Sequence, residues 1–370
     1  MMSSRDRLLA TLGGETVDRI ATFDIIHSMP LIERLSGGTL REDNAEDLLC
    51  AAVRVVLDLV RHFAVPDRMD RWYVHDGMGF TYEYRWWTAH VVKRPEFEST
   101  SDVAAAVERD IEAIYGDMAR GRICHVARQH VRLFDESYQY IGEAREEFRR
   151  LSGKLEGTMM LAPEDVSVMG VAAERFDEQW WWPFYADFPQ LAGRYMDALT
   201  DYQMYFIRGF ACPDVSPFAQ ISVPTGTTSG LLYSPEFFRT EVIPRERKKI
   251  VCWKSHGYHV LGFLDGYKWP LLDDFLDTGV EEIHPCEPSC RMDVGELRRR
   301  YPRVPLGQPI DCSQLLPFGS AEQVRQAVRK SIADAGETGI LVGSTSEIHC
   351  EVKVENAISM YETARGYPLA

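Results

Sequence analysis

The spacing of apolar residues changes period along the chain, and each change marks an element. Leu8, Leu9 and Leu12 share one helical face behind the capping serines Ser3 and Ser4, and Gly13-Gly14 supplies a stop, which predicts a short first helix. The segment Ile20-Ala21-Thr22-Phe23-Asp24-Ile25-Ile26 then reads as a strand ending at His27. Residues 71–76 and 156–162 read as a second and a third strand, separated by a long, charged and mostly helical stretch. From Phe188 to Phe210, Leu191, Tyr195, Leu199, Tyr202 and Phe206 recur at three- and four-residue steps, the mark of an amphipathic helix. A strand at 218–223 follows.

The last 150 residues alternate more regularly. Ser234-Pro235-Glu236 combines a cap, a first-turn proline and an acid favoured by the helix dipole, so a helix starts there, bent at Pro244 on its way to Trp253. Short apolar runs at 259–265, 282–284, 304–310 and 339–343 are separated by helical segments, one opened by the capping box Ser320-Ala321-Glu322-Gln323 and closed by Gly336. Strand and helix in alternation argue for a parallel sheet, and about eight strands suit a closed (β/α)8 barrel with extra N-terminal and middle helices. With no internal repeat and no low-complexity linker, residues 1–370 are expected to form one unit. No glycine-rich phosphate loop follows any strand.

Composition narrows the partners. Fifty-six acidic against 41 basic residues give a net charge of −15 with no Lys/Arg block, which excludes nucleic acid and anionic membrane as partners held by clustered basic side chains. No apolar run reaches the length of a membrane span and the first residues lack a signal-peptide core, so a cytoplasmic protein is expected. Eight scattered cysteines do not make a disulfide scaffold, and a homo-oligomer is compatible with all of this.

Barrel enzymes carry their chemistry at the carboxyl ends of the strands, so the polar residues after each apolar run are the candidates. They are His27; His75 and Asp76; Glu164; Gln220 and Ser222; Asp265; His284 and Glu287; Gln308 and Asp311; and Ser344, Ser346, Glu347 and His349. Asp265, Glu287, His284 and His27 are expected to act as acids, bases or proton carriers, and Asp76, Gln220, Gln308, Asp311, Glu347 and His349 to contact substrate. The bland alternatives are strand-end acids that accept backbone N–H groups, solvated loop histidines, and an Asp311 that only shapes its loop. Cationic anchors are missing from these ends, which counts against a polycarboxylate substrate. Two aromatic clusters, at 180–185 and 82–87, read either as walls for a flat apolar substrate or as core packing.

Six segments in order carry a family likeness: RDRLLATLGGETVDRI (5–20), SPEFF (234–238), FLDG (263–266), TGVEEIHPCEP (278–288), MDVGELRRRYPRVPLGQPID (292–311) and STSEIHCEVKVENAISM (344–360). Together they resemble the uroporphyrinogen decarboxylase-like superfamily over nearly the whole chain. The resemblance implies a (β/α)8 barrel that either decarboxylates uroporphyrinogen or moves methyl groups between a substrate and a corrinoid. The arginine-bearing segment of true decarboxylases is replaced here by His27-Ser28-Met29-Pro30-Leu31-Ile32-Glu33, which points away from that activity.

In the zinc-dependent methyltransferase branch, the ligand positions correspond to Phe263, Asp265 and Ser346, so zinc is not expected there. A different set, His284, Cys286 and Cys290 with Cys312 or Cys350, could be drawn as a zinc site, though these cysteines also read as buried or free thiols. The expected function is therefore methyl transfer from a small donor, for instance a methoxylated aromatic, to a corrinoid (cobalamin). The chain has no corrinoid-binding motif of its own, so a separate corrinoid protein or free cofactor would supply it. The alternatives are a carboxy-lyase acting on a tetrapyrrole or other acidic ring, and a non-catalytic barrel that only binds a tetrapyrrole.

Overall fold

The computed structural model describes residues 1–63, 70–75, 79–85, 88–124, 138–163 and 165–369. A parallel sheet is built from β1 (Ala21–Asp24), β2 (Leu59–Val60), β6 (Met159–Met160), β7 (Asp165–Val166), β8 (Phe218–Pro224), β9 (His259–Asp265), β10 (Glu282–His284), β11 (Leu306–Gly307) and β12 (Ile340–Val342). Its order is β6-β2-β1-β12-β11-β10-β9-β8-β7. The two outer members, β6 and β7, are halves of one interrupted stave. Leu161 N donates to Val60 O on one side (2.9 Å) and Ala162 N donates to Phe218 O on the other (2.8 Å), so the ring is joined across it. Eight staves with surrounding helices make the expected (β/α)8 barrel.

Alternate residues of the staves fill the lower lumen. Ala21, Phe23, Leu59, Leu161, Phe218, Leu261 and Leu341 pack there with Leu8 of the first helix, Ser4–Leu12. That helix plugs the amino-terminal end of the barrel. Its Arg7 donates to Asp58 at 2.6 Å, and Arg19 donates to the same carboxylate at 2.6 and 2.8 Å. Asp58 is fully buried, so these two cations hold it in place of water. The RDRLL segment therefore has a structural task at the end opposite the mouth.

The second stave departs from expectation. Of the expected strand at 71–76, the described residues do not enter the barrel: β3 (Arg71–His75) pairs antiparallel with β4 (Thr81–Arg85), which pairs with β5 (Thr88–Lys93). β3 alternates exposed and half-buried positions. Such alternation belongs to an antiparallel sheet with one wet face, whereas barrel staves are apolar on both faces. The true second stave, Leu59–Val60, follows the helix Ala45–Val56 after only Leu57 and Asp58, and two strand residues are too few to show a periodicity of their own beside the helix.

Other boundaries shift inward. The expected strands at 156–162, 304–310 and 339–343 keep only Met159–Met160, Leu306–Gly307 and Ile340–Val342. The helix from Pro235 is bent as expected, because a π-helical turn at Phe238–Val242 absorbs the hydrogen bond that Pro244 cannot make before the helix resumes at Ile243–Ser255. Among the described residues, no helix is long and apolar enough to cross a membrane.

Candidate active site

His284 ends β10 inside the lumen and is fully buried. Its Nδ1 lies 2.5 Å from Glu282 Oε2, and its Nε2–H donates to Gln220 Oε1 at 3.0 Å. Gln220 Nε2 in turn donates to Ser222 Oγ at 3.0 Å. The rings of Phe23 and Phe263 meet the imidazole edge-on, with centroids at 5.1 and 5.4 Å. Burial raises the proton affinity of Glu282, and the imidazole beside it pulls it back. With both ring nitrogens engaged, His284 forms the floor of the site together with Gln220. It is a buried relay fixed in one orientation, and its partner Glu282 had no distinguishing signal in the sequence beyond two acids in a row.

Above this floor, β9 and β10 end in two carboxyls, Asp265 and Glu287. Asp265 is open to solvent, although protein surrounds it on most sides, as at the bottom of a funnel. Glu287 is half-buried and accepts from Gly266 N at 2.7 Å. Gly266 permits this contact: its φ is +81°, and a Cβ there would lie 1.9 Å from Gly226 O. Lys268 is fully buried between the acids and donates to Pro285 O at 2.9 Å.

Electrostatics follow from this geometry. Burial raises the proton affinity of both acids; Asp265 adds to the rise at Glu287, while Lys268 opposes it at both. Burial lowers the proton affinity of Lys268, against the pull of Glu287 and Asp265. Two acids of raised proton affinity beside one interred lysine hold a proton more tightly than free carboxyls do and can release it to a bound group.

Sequence reasoning missed Arg61 for a traceable reason. It follows the unrecognised second stave, two residues after lumen-facing Leu59, and its N donates to Asp24 O at 3.0 Å. Its Nη1 donates to Ser346 O at 3.3 Å, and its guanidinium carbon stands 4.7 Å from the centre of the Phe263 ring. The expectation that cationic anchors are missing from the strand ends is thus corrected by Arg61 and Lys268. Asp24 was missed as well. It is fully buried and accepts from Ser344 N (2.8 Å), Ser344 Oγ (2.7 Å), Ile25 N (2.9 Å) and Tyr361 Oη (3.0 Å). Burial nevertheless raises its pKa to about 7. An acid inside the apolar run of β1 was the available signal.

The remaining candidates occupy the rim. His27 is buried in the loop after β1 and takes part in the mouth through its carbonyl, which accepts from Cys350 Sγ at 3.7 Å. Gln308 follows β11 with φ +49°, fully buried, and neither end of its side-chain amide has a partner among the described residues. Strain of this kind in a non-glycine residue is typical of functional positions. Asp311 accepts from Ser313 N, Ser313 Oγ and Gln314 N, which is the work of a loop-shaping residue. His349 Nε2 donates to Cys312 O (3.0 Å) and its Nδ1 accepts from Glu351 N (3.3 Å), so it staples two loops. Glu347 is half-buried, accepts from Ser346 Oγ at 3.4 Å and raises the proton affinity of Asp265. Asp76 and Glu164 lie outside the described residues, and His75 belongs to the antiparallel sheet.

Neither zinc set fits the metal. Phe263 has no lone pair to donate, and the space around Phe263, Asp265 and Ser346 faces the cation of Arg61. In the other set, His284 has both nitrogens engaged, Cys286 Sγ turns to Ile283 O, and Cys350 Sγ turns to His27 O. No group of three His, Cys, Asp or Glu side chains that could hold a metal is formed among the described residues. The cluster at 180–185 resolves largely as packing: Trp181 is fully buried against Phe184 (5.5 Å) and Tyr195 (6.1 Å), while Trp182 packs on Tyr233 (4.8 Å). Trp86 and Trp87 lie outside the described residues.

Comparison with known proteins adds a fold likeness. No family model matches the chain, and no curated protein matches it in sequence. Among solved structures it is similar to a methyltransferase from Methanosarcina mazei, with a TM-score of 0.66 and 16% identity over 98% of each chain. A B12-independent methionine synthase from a Shewanella species also matches, with a TM-score of 0.39 and 10% identity over 94% of this chain and 98% of that one. At such identities the first likeness supports the architecture, a (β/α)8 barrel aligned end to end, and the second carries no weight.

Proposed function

We propose that this barrel is a methyltransferase that takes a methyl group from oxygen, nitrogen or sulfur of a small substrate and delivers it to a corrinoid, brought by a separate protein or free in solution. The observation that carries the reading is the Asp265–Glu287 pair, two strand-end acids of raised proton affinity gathered around buried Lys268 at an accessible mouth. The structurally similar barrel described as a methyltransferase agrees with it. A corrinoid, when bound, supplies the nucleophile that accepts the methyl group. The lumen beneath Asp265 is filled by Phe263, His284 and Phe23, so a macrocycle would be met at the rim and not inside the barrel.

The chain's own part is proton control and orientation. As the bond between methyl carbon and leaving oxygen breaks, the electron pair stays on oxygen, which takes a proton from the carboxyl of Asp265. Burial, with the charge of Glu347 beside it, raises the proton affinity of that carboxyl, while Lys268 opposes the rise and favours the carboxylate left once the proton has gone. Asp265→Asn and Glu287→Gln keep shape and remove the acid. Each is expected to lower methyl transfer from a methoxy-aromatic to reduced cobalamin by roughly 100-fold or more while leaving the thermal midpoint nearly unchanged. Wild-type protein that leaves methoxy-aromatics untouched and converts an acidic tetrapyrrole would instead establish a carboxy-lyase, the second reading, which the cation Arg61 at the mouth favours. Tight tetrapyrrole binding with neither reaction would mark a non-catalytic barrel.

A further inference from the structure

Phe318 is 71% exposed, more than any other Phe, Tyr or Trp among the described residues. It ends the short helical turn Leu315–Phe318 in the loop after β11, and that turn is fixed from behind. Asn356 Nδ2 donates to Leu316 O (2.8 Å) and Gly319 O (3.0 Å), while Lys353 Nζ donates to Phe318 O (3.2 Å) and Gly319 O (3.0 Å). A ring carried on so constrained a backbone loses little freedom when it is covered, which is the property of an interface anchor. Beside the turn lies an open groove between the first turns of two outer helices, Met29–Ser36 and Val354–Arg365. It holds about 460 Å³ and is lined by Pro30, Arg34, Val354, Glu355, Ile358 and Ser359. Pro30, Val354 and Ile358 give it an apolar bed with room for a phenyl ring. Arg34 stands on one wall and Glu355 on the other; both are exposed, and neither has a hydrogen-bond or ion-pair partner among the described residues. Other surface cations find acids within the chain, as Arg325 does in Glu322 and Arg150 in Glu46.

We propose that this face joins two copies of the chain about a twofold axis, with Phe318 of each entering the Pro30–Val354–Ile358 groove of the other and Arg34 of each meeting Glu355 of the partner subunit. The occupant is a second copy because an exposed ring, an apolar groove, an unpaired cation and an unpaired anion all sit on one patch. A twofold interface requires this, since the same surface must complement itself. The ring and the groove are neighbours: Lys353 holds the carbonyl of Phe318, and Val354 begins the groove. The phenyl ring supplies most of the binding, as a buried aromatic anchor does. The charges set the register, because exposed ion pairs contribute little while like charges brought face to face repel strongly. The interface does not depend on the reaction at Asp265 and is read without turnover.

Sedimentation velocity of the full chain over about 1–100 μM reads the assembly. Wild type is expected to form a dimer and nothing larger. Phe318→Glu should weaken self-association by about 100-fold or more, because the change acts at both symmetric contacts of the dimer. Arg34→Glu and Glu355→Arg should each weaken it by about 10-fold, and the two together should restore it to near the wild-type level, since the reversed charges match again. All three positions are exposed or line an open groove, so thermal midpoints should stay near that of wild type, and the restored double variant reports on the interface even where a single variant is unstable. Val251→Glu, at a 58% exposed apolar position on the helix Ile243–Ser255, should leave the dimer intact. A monomer at every concentration, a dimer indifferent to Phe318→Glu, or one lost equally in Val251→Glu would each overturn the proposal. So would growth into larger assemblies, or a double charge reversal no better than the single ones.

Discussion

The buried His284–Glu282 pair offers the sharpest quantitative test of how this site is built. Glu282→Met removes a 2.5 Å contact between two side chains with no solvent exposure and leaves Nδ1 of His284 between two phenyl rings without a partner. Breaking such a pair costs about 3–5 kcal/mol. An opposing gain of roughly 1 kcal/mol comes from removing Glu282 Oε1, which is buried with no hydrogen-bond partner. The net loss is about 3 kcal/mol. For a chain of 370 residues the unfolding entropy is roughly 0.8 kcal/mol/K, so the thermal midpoint should fall by about 4 °C.

The paired substitution decides between a hydrogen-bonding role and mere space filling. Glu282→Met with His284→Phe replaces both polar partners by apolar groups between Phe23 and Phe263, with only Gln220 Oε1 losing its donor. This double variant should be more stable than either single variant, a coupling of about 1–3 kcal/mol in a double-mutant cycle read by thermal and urea unfolding. Additive losses, or a Glu282→Met variant within about 0.5 kcal/mol of wild type, would refute the reasoning. Methyl transfer that persists in the double variant would show that His284 holds the floor in place and carries no proton in the reaction.

Other outcomes follow from the same geometry. Asp24 titrates near 7 in the fold against about 3.9 unfolded, so the folded state keeps a proton the unfolded chain has lost, and this group's contribution to stability falls as pH rises from 4 to 7, by about 4 kcal/mol in all. Asp24→Asn should flatten that slope, so the stability gap between wild type and variant should shrink from pH 4.5 to pH 8; a gap that widens would contradict it. Asp58→Ala strands Arg7 and Arg19 at the closed end of the barrel and should cost about 3–5 kcal/mol, with methyl transfer per folded molecule unchanged because the mouth is at the other end. Gly266→Ala forces a side chain into Gly226 O at φ +81° and should cost more than about 2 kcal/mol while displacing the N–H that holds Glu287, visible as a shifted pH profile of any activity that survives.

The sequence determined the architecture because a barrel is a repeated local event. Each apolar run followed by a capped amphipathic helix repeats the same instruction, and 218–223, 259–265, 282–284, the helix at Pro189–Phe210 and the capping box at Ser320 all stand where the pattern places them. It also pointed to Asp265 and Glu287, since an acid directly after a barrel strand can face only the mouth. Where local pattern fell silent, tertiary structure decided. A two-residue stave such as Leu59–Val60 gains its hydrogen bonds from β1 and β6, distant in sequence, and leaves no periodicity of its own.

With that stave went Arg61, whose meaning depends on Phe263 and Ser346, some 200 and 285 residues further along the chain. Charge behaved in the same way. Asp24, Lys268 and Glu282 are ordinary letters in the sequence, and only burial, which is a property of the assembled barrel, shifts their proton affinity. Local periodicity is written residue by residue, whereas the field at an active site is the sum of groups brought together by folding.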